Sequence, residues 1–327
     1  MALVGAKSAN VSTEPRIRLG ASVRCVTTNS PKPRGPLRAL VSATRPAQWV
    51  KNGLIIIAPA AAGILTHADV IRHTGVAFVS FCLIASSGYL VNDLRDVDAD
   101  RQHPKKRYRA IAADQLSARS AWLAAGVLLL VGFALPLFLW HPGGLLLTMG
   151  LYVIITFVYN AGLKNVPIIE FSAVASGFFL RAYAGAVASH VFVSTWFLMV
   201  ISFGALFLVI GKRSSELKHL GASSTRKVLR EYSGQFLASA LTLSATAVVT
   251  GYCLWAFDTS ATGLSSIHHD VIPIRLSVVP VVVATLFIMR SAEAGDGAAP
   301  DELLYRDHTV QALALIWAIL LFIGVYV

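Results

Sequence analysis

The sequence predicts an all-α integral membrane bundle of nine transmembrane helices, and three observations carry that prediction. Of the 327 residues, 55% are hydrophobic and 14% are charged, and no stretch of ordinary soluble-domain composition separates the apolar runs. After residue 50 those runs are about 20 residues long, the length a helix needs to cross a bilayer. They lack the alternation of polar and apolar residues that marks a membrane barrel. In hydrocarbon each backbone donor must be paired, and a helix pairs them within its own segment.

The elements follow in order. Residues 1–40 are rich in Ser, Arg, Pro and Thr, hold one acid, Glu14, and lack the apolar core of a secretory signal. They read as a basic, disordered tail, and their composition also fits a transit peptide. Residues 41–327 read as one membrane-embedded domain. The first span, 51–66, is entered through "RPAQWVKN", whose Pro, aromatic and amide residues suit a membrane interface and could form a lid. Span 71–92 ends at "NDLRDVDADRQHPKKRYR". Span 119–140 starts at Arg119 and stops at "HPGG", and 144–162 closes on Gly162. Span 167–188 opens at Pro167 and contains Arg181, while 192–211 runs into "GKRSSEL". The last three are 233–257, 273–290 and 308–327.

Lys and Arg fix the orientation. They crowd the tail and the connections after the second, fourth, sixth and eighth spans, whereas the opposite connections hold only Arg72 and Arg275. The positive-inside rule therefore places the N-terminus and the charged loops in the cytoplasm, as expected of a plasma-membrane protein. The net charge of +11 then needs no nucleic acid as partner, because basic loops facing anionic lipid account for it. Cys25, Cys82 and Cys253 have neither disulfide nor metal-ligand spacing. His268, His269 and Asp270 fall on the opposite side and read as a loop.

The acids need a separate explanation. Asp93, Asp96 and Asp100 fall within about a 60° arc if the second helix continues past the membrane surface. Three carboxylates on one face repel one another, so a cation among them is expected. Oxygen ligands without His or Cys point to Mg²⁺ or a similar ion, and substrate phosphates usually complete the shell of Mg²⁺. Asn92 can add an amide oxygen. Asp98 points elsewhere, toward Arg95 or Arg101. The bland alternative is a solvated, helix-capping charge cluster. Lys105, Lys106, Arg107 and Arg109 follow as candidate phosphate holders. Tyr159, Lys164 and Glu170, then Lys212, Arg213 and Glu216, bring charge to the same membrane surface, with snorkelling edge residues as the alternative. Arg181 lies inside an apolar helix, where it requires a wet cavity, a substrate or a carbonyl partner.

Together "RPAQWVKN", "NDLRDVDADR" and nine spans resemble the UbiA superfamily of intramembrane prenyltransferases, over roughly residues 40–327. The resemblance implies a UbiA-like catalytic domain in which Asn92, Asp93, Asp96 and Asp100 bind Mg²⁺ and a donor pyrophosphate. Ordinary members carry a second Asp-rich motif where this chain has "GKRSSEL". That departure, with "HPKKRYRAIAA", "YNAGLK", "FLRAYAGA" and "PDELLYRDHTV", is similar to a narrower branch, the actinobacterial decaprenyl-phosphate phosphoribosyltransferases. This branch implies phosphoribosyl pyrophosphate as donor, a polyprenyl phosphate as acceptor and a role in cell-wall arabinan synthesis. It makes Lys51, Arg107, Arg109, Tyr159, Glu170, Arg181, Lys212, Arg213 and Glu216 candidate substrate contacts, and Lys164 a catalytic one. The alternative is a conventional UbiA enzyme moving a prenyl group from its pyrophosphate to an aromatic or other acceptor. A homo-oligomer, such as a trimer, is compatible with either.

Overall fold

A computed structural model describes residues 35–220, 227–258, 271–294 and 307–327. Among these residues every regular element is helical. Most of the expected tail, and the whole His268, His269 and Asp270 group, lie outside them.

Eight helical stretches are long and apolar enough to cross a membrane. They are α3 (Ala68–Arg95), α5 (Ala118–Ala134) with its 3₁₀ extension Leu135–Phe138, α6 (Gly143–Ala161), α7 (Ile169–Ala188), α8 (Thr195–Leu220), α9 (Gly234–Phe257), the pair α10 (Val271–Leu276) and α11 (Val278–Ala294), and α12 (His308–Tyr326). A short helix, α1 (Pro36–Ala43), begins inside the stretch expected as tail, with Ala39 and Ala43 buried and Leu37 and Val41 exposed. Between α3 and α5 lies α4 (Val97–Gln102).

The local chemistry sets the ends. Ser117 and Ser233 accept hydrogen bonds from the backbone N–H groups of Ser120 and Phe236, capping α5 and α9. Asp307 accepts from Thr309 and Val310 at the start of α12, and these bonds hold its carboxyl below the usual range. Pro136 tightens the end of α5 into 3₁₀ geometry. Leu123, Leu130, Leu147 and Leu315 are exposed, as suits side chains bathed in lipid. Helix contacts instead rest on small residues. An added Cβ on Gly132 would meet Ile84 at 2.8 Å, and one on Gly185 would overlap the Ile55 carbonyl.

The first expected span differs from the rest. Residues 46–61 form an 11-residue 3₁₀ helix, Pro46–Ile56, continued by the five-residue α2, Ile57–Ala61. This segment runs antiparallel along α3. Arg45 pairs with Asp93, Trp49 donates to Ser86 at 3.0 Å, and Asn52 donates to the Cys82 thiol at 3.2 Å. At its far end Ala60 accepts a hydrogen bond from the Tyr326 hydroxyl. "RPAQWVKN" is therefore tied to α3 through Arg45, Trp49 and Asn52. A 3₁₀ helix in lipid needs shelter from neighbouring protein, and Asn52 and Ile55 are buried against α3 and α7.

Candidate active site

The charged residues gather at the Asp93 end of the bundle. α3 stops at Arg95, Asp96 has non-helical dihedrals, and α4 resumes at Val97. The continuous helix assumed from the sequence is thus interrupted within the acidic motif, and the three carboxylates divide two and one. Asp93 and Asp100, both about 3% exposed as side chains, share Arg109, whose Nη1 lies 3.0 Å from one and 2.6 Å from the other. Asp93 also accepts from Arg45 Nη2 at 2.5 Å. Asp96 turns to Lys164, 3.2 Å away on the α6–α7 connection, with both side chains about a third exposed. Asp98 is exposed and lies 3.6 Å from Arg101, as expected.

Among the described residues no three His, Cys, Asp or Glu side chains converge as a metal site; the three expected carboxylates are instead held by Arg45, Arg109 and Lys164. Two do converge, because the Arg109 position already collects one oxygen from Asp93 and one from Asp100. That donor set fits Mg²⁺, which takes one or two carboxylates and completes its shell with water and phosphate oxygens.

Arg45 has φ 53°, in the left-handed region, directly before Pro46. A non-glycine residue there costs on the order of 1–3 kcal/mol, and the conformation carries its guanidinium over Asp93 and beside the Tyr89 ring, 5.0 Å away. Arg45 entered the sequence reading as the first residue of "RPAQWVKN" with no role at the site; that motif was the available signal. Arg45, Asp93, Lys105, Tyr108 and Arg109 line a recess of about 220 Å³ beneath the end of α1, with Ser42, Ala43 and Ala110 completing it. Arg107 points to the Tyr108 hydroxyl, 2.7 Å away.

The second expected charged group closes on itself. Arg213 binds Glu170 through two bonds of 2.7 and 2.8 Å and Glu216 through a third of 3.0 Å. Glu170 and Arg213 are buried, so this is an ion pair joining α7 to α8 and not an open phosphate cradle. Ile168, at φ 67°, donates its N–H to the Tyr232 hydroxyl at 2.6 Å. Burial pushes the Tyr232 phenol above its usual range. Tyr232, missed in the sequence, thereby ties the connection carrying Lys164 to the segment before α9. Lys212 stands beside Arg213 on α8, Tyr159 ends α6, Lys51 sits on the 3₁₀ helix, and half-buried Asn92 precedes Asp93.

Arg181 is satisfied inside the bundle. It donates to Asn52 Oδ1 at 2.7 Å, the Gly177 carbonyl at 2.7 Å and the Tyr152 hydroxyl at 2.8 Å. The carbonyl partner anticipated from the sequence is present, and the Asn52 and Tyr152 partners had no signal in their spacing. Further along the 3₁₀ helix an apolar cavity of about 730 Å³ opens between that segment, α8, α9 and α12. Gly53, Ile56, Phe197, Trp255, Trp317 and Phe322 are among the residues lining it.

An acidic pair at the end of a membrane helix, flanked by Arg45, Arg109 and Lys164, in a bundle that also holds an apolar cavity, is the arrangement of an intramembrane transferase of phosphorylated substrates. Residues 54–306 match the UbiA prenyltransferase family, and the chain belongs to it. The chain is 40% identical to the decaprenyl-phosphate phosphoribosyltransferase of Corynebacterium glutamicum over 300 residues, covering 90% of this chain and 89% of that one. It is likewise 40% identical to the enzyme of the same name from Mycobacterium tuberculosis over 293 residues, or 87% and 93% of the two chains. A UbiA homologue from Archaeoglobus fulgidus bound to DMAPP and Mg²⁺ shares the fold, with a TM-score of 0.65 at 18% identity over 88% of this chain and 97% of that one.

Proposed function

We propose that this protein transfers 5-phosphoribose from phosphoribosyl pyrophosphate to the phosphate of a long-chain polyprenyl lipid, decaprenyl phosphate by kinship, and releases pyrophosphate. The observation that carries this reading is the closed ion pair of Arg213 with Glu170 and Glu216. A second metal cluster facing the first would need free carboxylates there, and Arg213 engages both. Among the described residues, Asp93 and Asp100 converge on one position at the Asp93 end, where Arg45, Lys105, Arg109 and Lys164 also lie. Such a site suits a donor and an acceptor that both bring phosphate charge.

Asp93 and Asp100 would hold Mg²⁺, which supplies charge neutralisation for the departing pyrophosphate. Lys164 adds a positive charge that Asp96 holds in place. The anomeric carbon loses its bond to the pyrophosphate oxygen and gains one to an oxygen of the acceptor phosphate on its opposite face, with inversion. The acceptor phosphate is already anionic, so no side chain has to remove a proton from it. Alignment of the two phosphates by fixed cations is most of the catalysis. The apolar cavity beside the 3₁₀ helix suits part of the lipid tail.

We also read residues 46–61 as a ninth crossing. Eleven residues at about 2.0 Å and five at about 1.5 Å rise together span about 30 Å, the thickness of the hydrocarbon core. With nine crossings, the distribution of Lys and Arg supports a reading in which the Asp93 end faces the cytoplasm, as in a plasma-membrane enzyme. Purified protein in nanodiscs, offered labelled phosphoribosyl pyrophosphate or labelled prenyl pyrophosphates with decaprenyl phosphate, tests the reading. Label is expected in lipid only from the first donor, and transfer from a prenyl pyrophosphate alone would establish the conventional UbiA reaction.

A further inference from the structure

We infer that the recess under α1, formed by Arg45, Lys105, Tyr108 and Arg109, binds the 5-phosphate of the sugar donor and selects a phosphorylated pentose. This inference rests on the phosphoribosyl reading above and assigns that donor's second anionic end.

The charge balance comes first. Three cations line the recess against one lining carboxylate, Asp93, with Asp100 reached only through Arg109. Arg45 engages carboxylate through Nη2 alone, and Arg109 through Nη1 alone. A guanidinium carries five N–H donors in a planar fork, so both arginines keep donor capacity for a second anion. Lys105 adds an exposed ammonium, and Tyr108, whose hydroxyl accepts from Arg107 at 2.7 Å, also lines the recess.

Size and lining separate this recess from the other two phosphate positions. At about 220 Å³ it is smaller than sites that enclose whole drug-sized ligands, which begin near 300 Å³; it holds a group and not a molecule. The pyrophosphate belongs with Asp93, Asp100 and Lys164, and the recess adjoins that position through Asp93 and Arg109. A polyprenyl phosphate carries its chain directly on the phosphate, so its anionic end needs apolar surface beside it. The recess has no large aliphatic lining, and it shares no residue with the apolar cavity. A pentose with pyrophosphate on C1 and phosphate on C5 instead places polar groups on both sides of Asp93. The left-handed backbone at Arg45 is explained by the same arrangement, because it holds one guanidinium where metal-binding carboxylate and recess meet.

Lys105→Ala removes one cation from an exposed loop position. In full-length protein in nanodiscs with Mg²⁺, calorimetric titration of ribose 5-phosphate, inorganic pyrophosphate and phosphoribosyl pyrophosphate separates the two ends of the donor. The variant is expected to weaken ribose 5-phosphate and the full donor by about tenfold each, the effect of losing one charged hydrogen bond. Pyrophosphate affinity should stay unchanged, and Lys105→Arg should restore binding. Equal weakening of pyrophosphate, unchanged ribose 5-phosphate binding, or a raised KM for the lipid acceptor alone would overturn the assignment. A wild-type protein that binds a prenyl pyrophosphate but neither phosphoribosyl pyrophosphate nor ribose 5-phosphate would remove the donor reading itself, a result no Lys105 variant could mimic.

Discussion

Arg213 and Glu170 meet fork to fork, Nε on Oε1 at 2.7 Å and Nη2 on Oε2 at 2.8 Å, with both residues buried where α7 and α8 approach. Removing one member of such a pair leaves a buried charge without its partner, at a cost of about 3–5 kcal/mol. Glu170→Gln and Arg213→Met should each lower the thermal unfolding midpoint markedly in detergent. The double variant Glu170→Gln with Arg213→Met should recover part of that loss, because the fully buried Glu170–Arg213 pair no longer leaves one charge without the other; the loss of the part-exposed Glu216 contact remains. A large rise in donor KM without loss of stability would place Arg213 in the substrate site.

Lys164 and Asp96 make the opposite case. Their 3.2 Å contact is about a third exposed on each side, and ion pairs of that kind contribute about 0–1 kcal/mol. Lys164→Ala should therefore leave the unfolding midpoint nearly unchanged while lowering kcat/KM by about tenfold or more through the lost pyrophosphate contact. Tyr232→Phe removes the oxygen that accepts from Ile168 N–H and frees the same connection. A smaller loss of kcat/KM is expected there, and steady-state kinetics on both variants measures the difference.

The helical bundle was legible because hydrocarbon forces every backbone group into local pairing, and that constraint shows as run length. Eight of the spans follow it. Residues 46–61 did not reveal their 3₁₀ geometry, since that geometry is imposed from outside: Gly185 lets α7 approach Ile55, while Ser86 and Cys82 bind Trp49 and Asn52. At the site, the residue types and the end of the bundle were legible, but the pairing was not. Helical spacing grouped Asp96 with Asp93 and Asp100, yet the break at Asp96 turns it to Lys164, distant in sequence. Nothing in the spacing of "GKRSSEL" shows that Arg213 faces inward to Glu170.

Close approach at Gly185 gives a stability prediction with an internal control. A Cβ there would overlap the backbone carbonyl of Ile55, whereas a Cβ on Gly132 would press on Ile84 Cγ2 at 2.8 Å, the end of a side chain able to shift. Gly185→Ala should displace the 3₁₀ helix and with it Trp49 and Arg45, so folded yield and activity fall together. Gly132→Ala should be tolerated at a cost of about 1–3 kcal/mol, typical of overpacking. Unfolding midpoints and size-exclusion profiles in detergent distinguish the two.

The division of the acidic motif makes a final prediction about metal. Asp93 and Asp100 send oxygens to one cation position, held by Arg109, while Asp96 holds Lys164. Asp93→Asn and Asp100→Asn should therefore each raise the Mg²⁺ concentration needed for half-maximal activity and reduce turnover. Direct Mn²⁺ binding, followed by electron paramagnetic resonance as a spectroscopic substitute for Mg²⁺, should weaken in step. Asp96→Asn should leave the metal requirement close to wild type and raise donor KM, because its loss releases Lys164. All three proteins should remain folded and inserted, and Asp93→Asn should also leave Arg45 and Arg109 with excess positive charge in the recess. Equal shifts in metal requirement across the three variants would show instead that Asp96 rotates from Lys164 to join the metal.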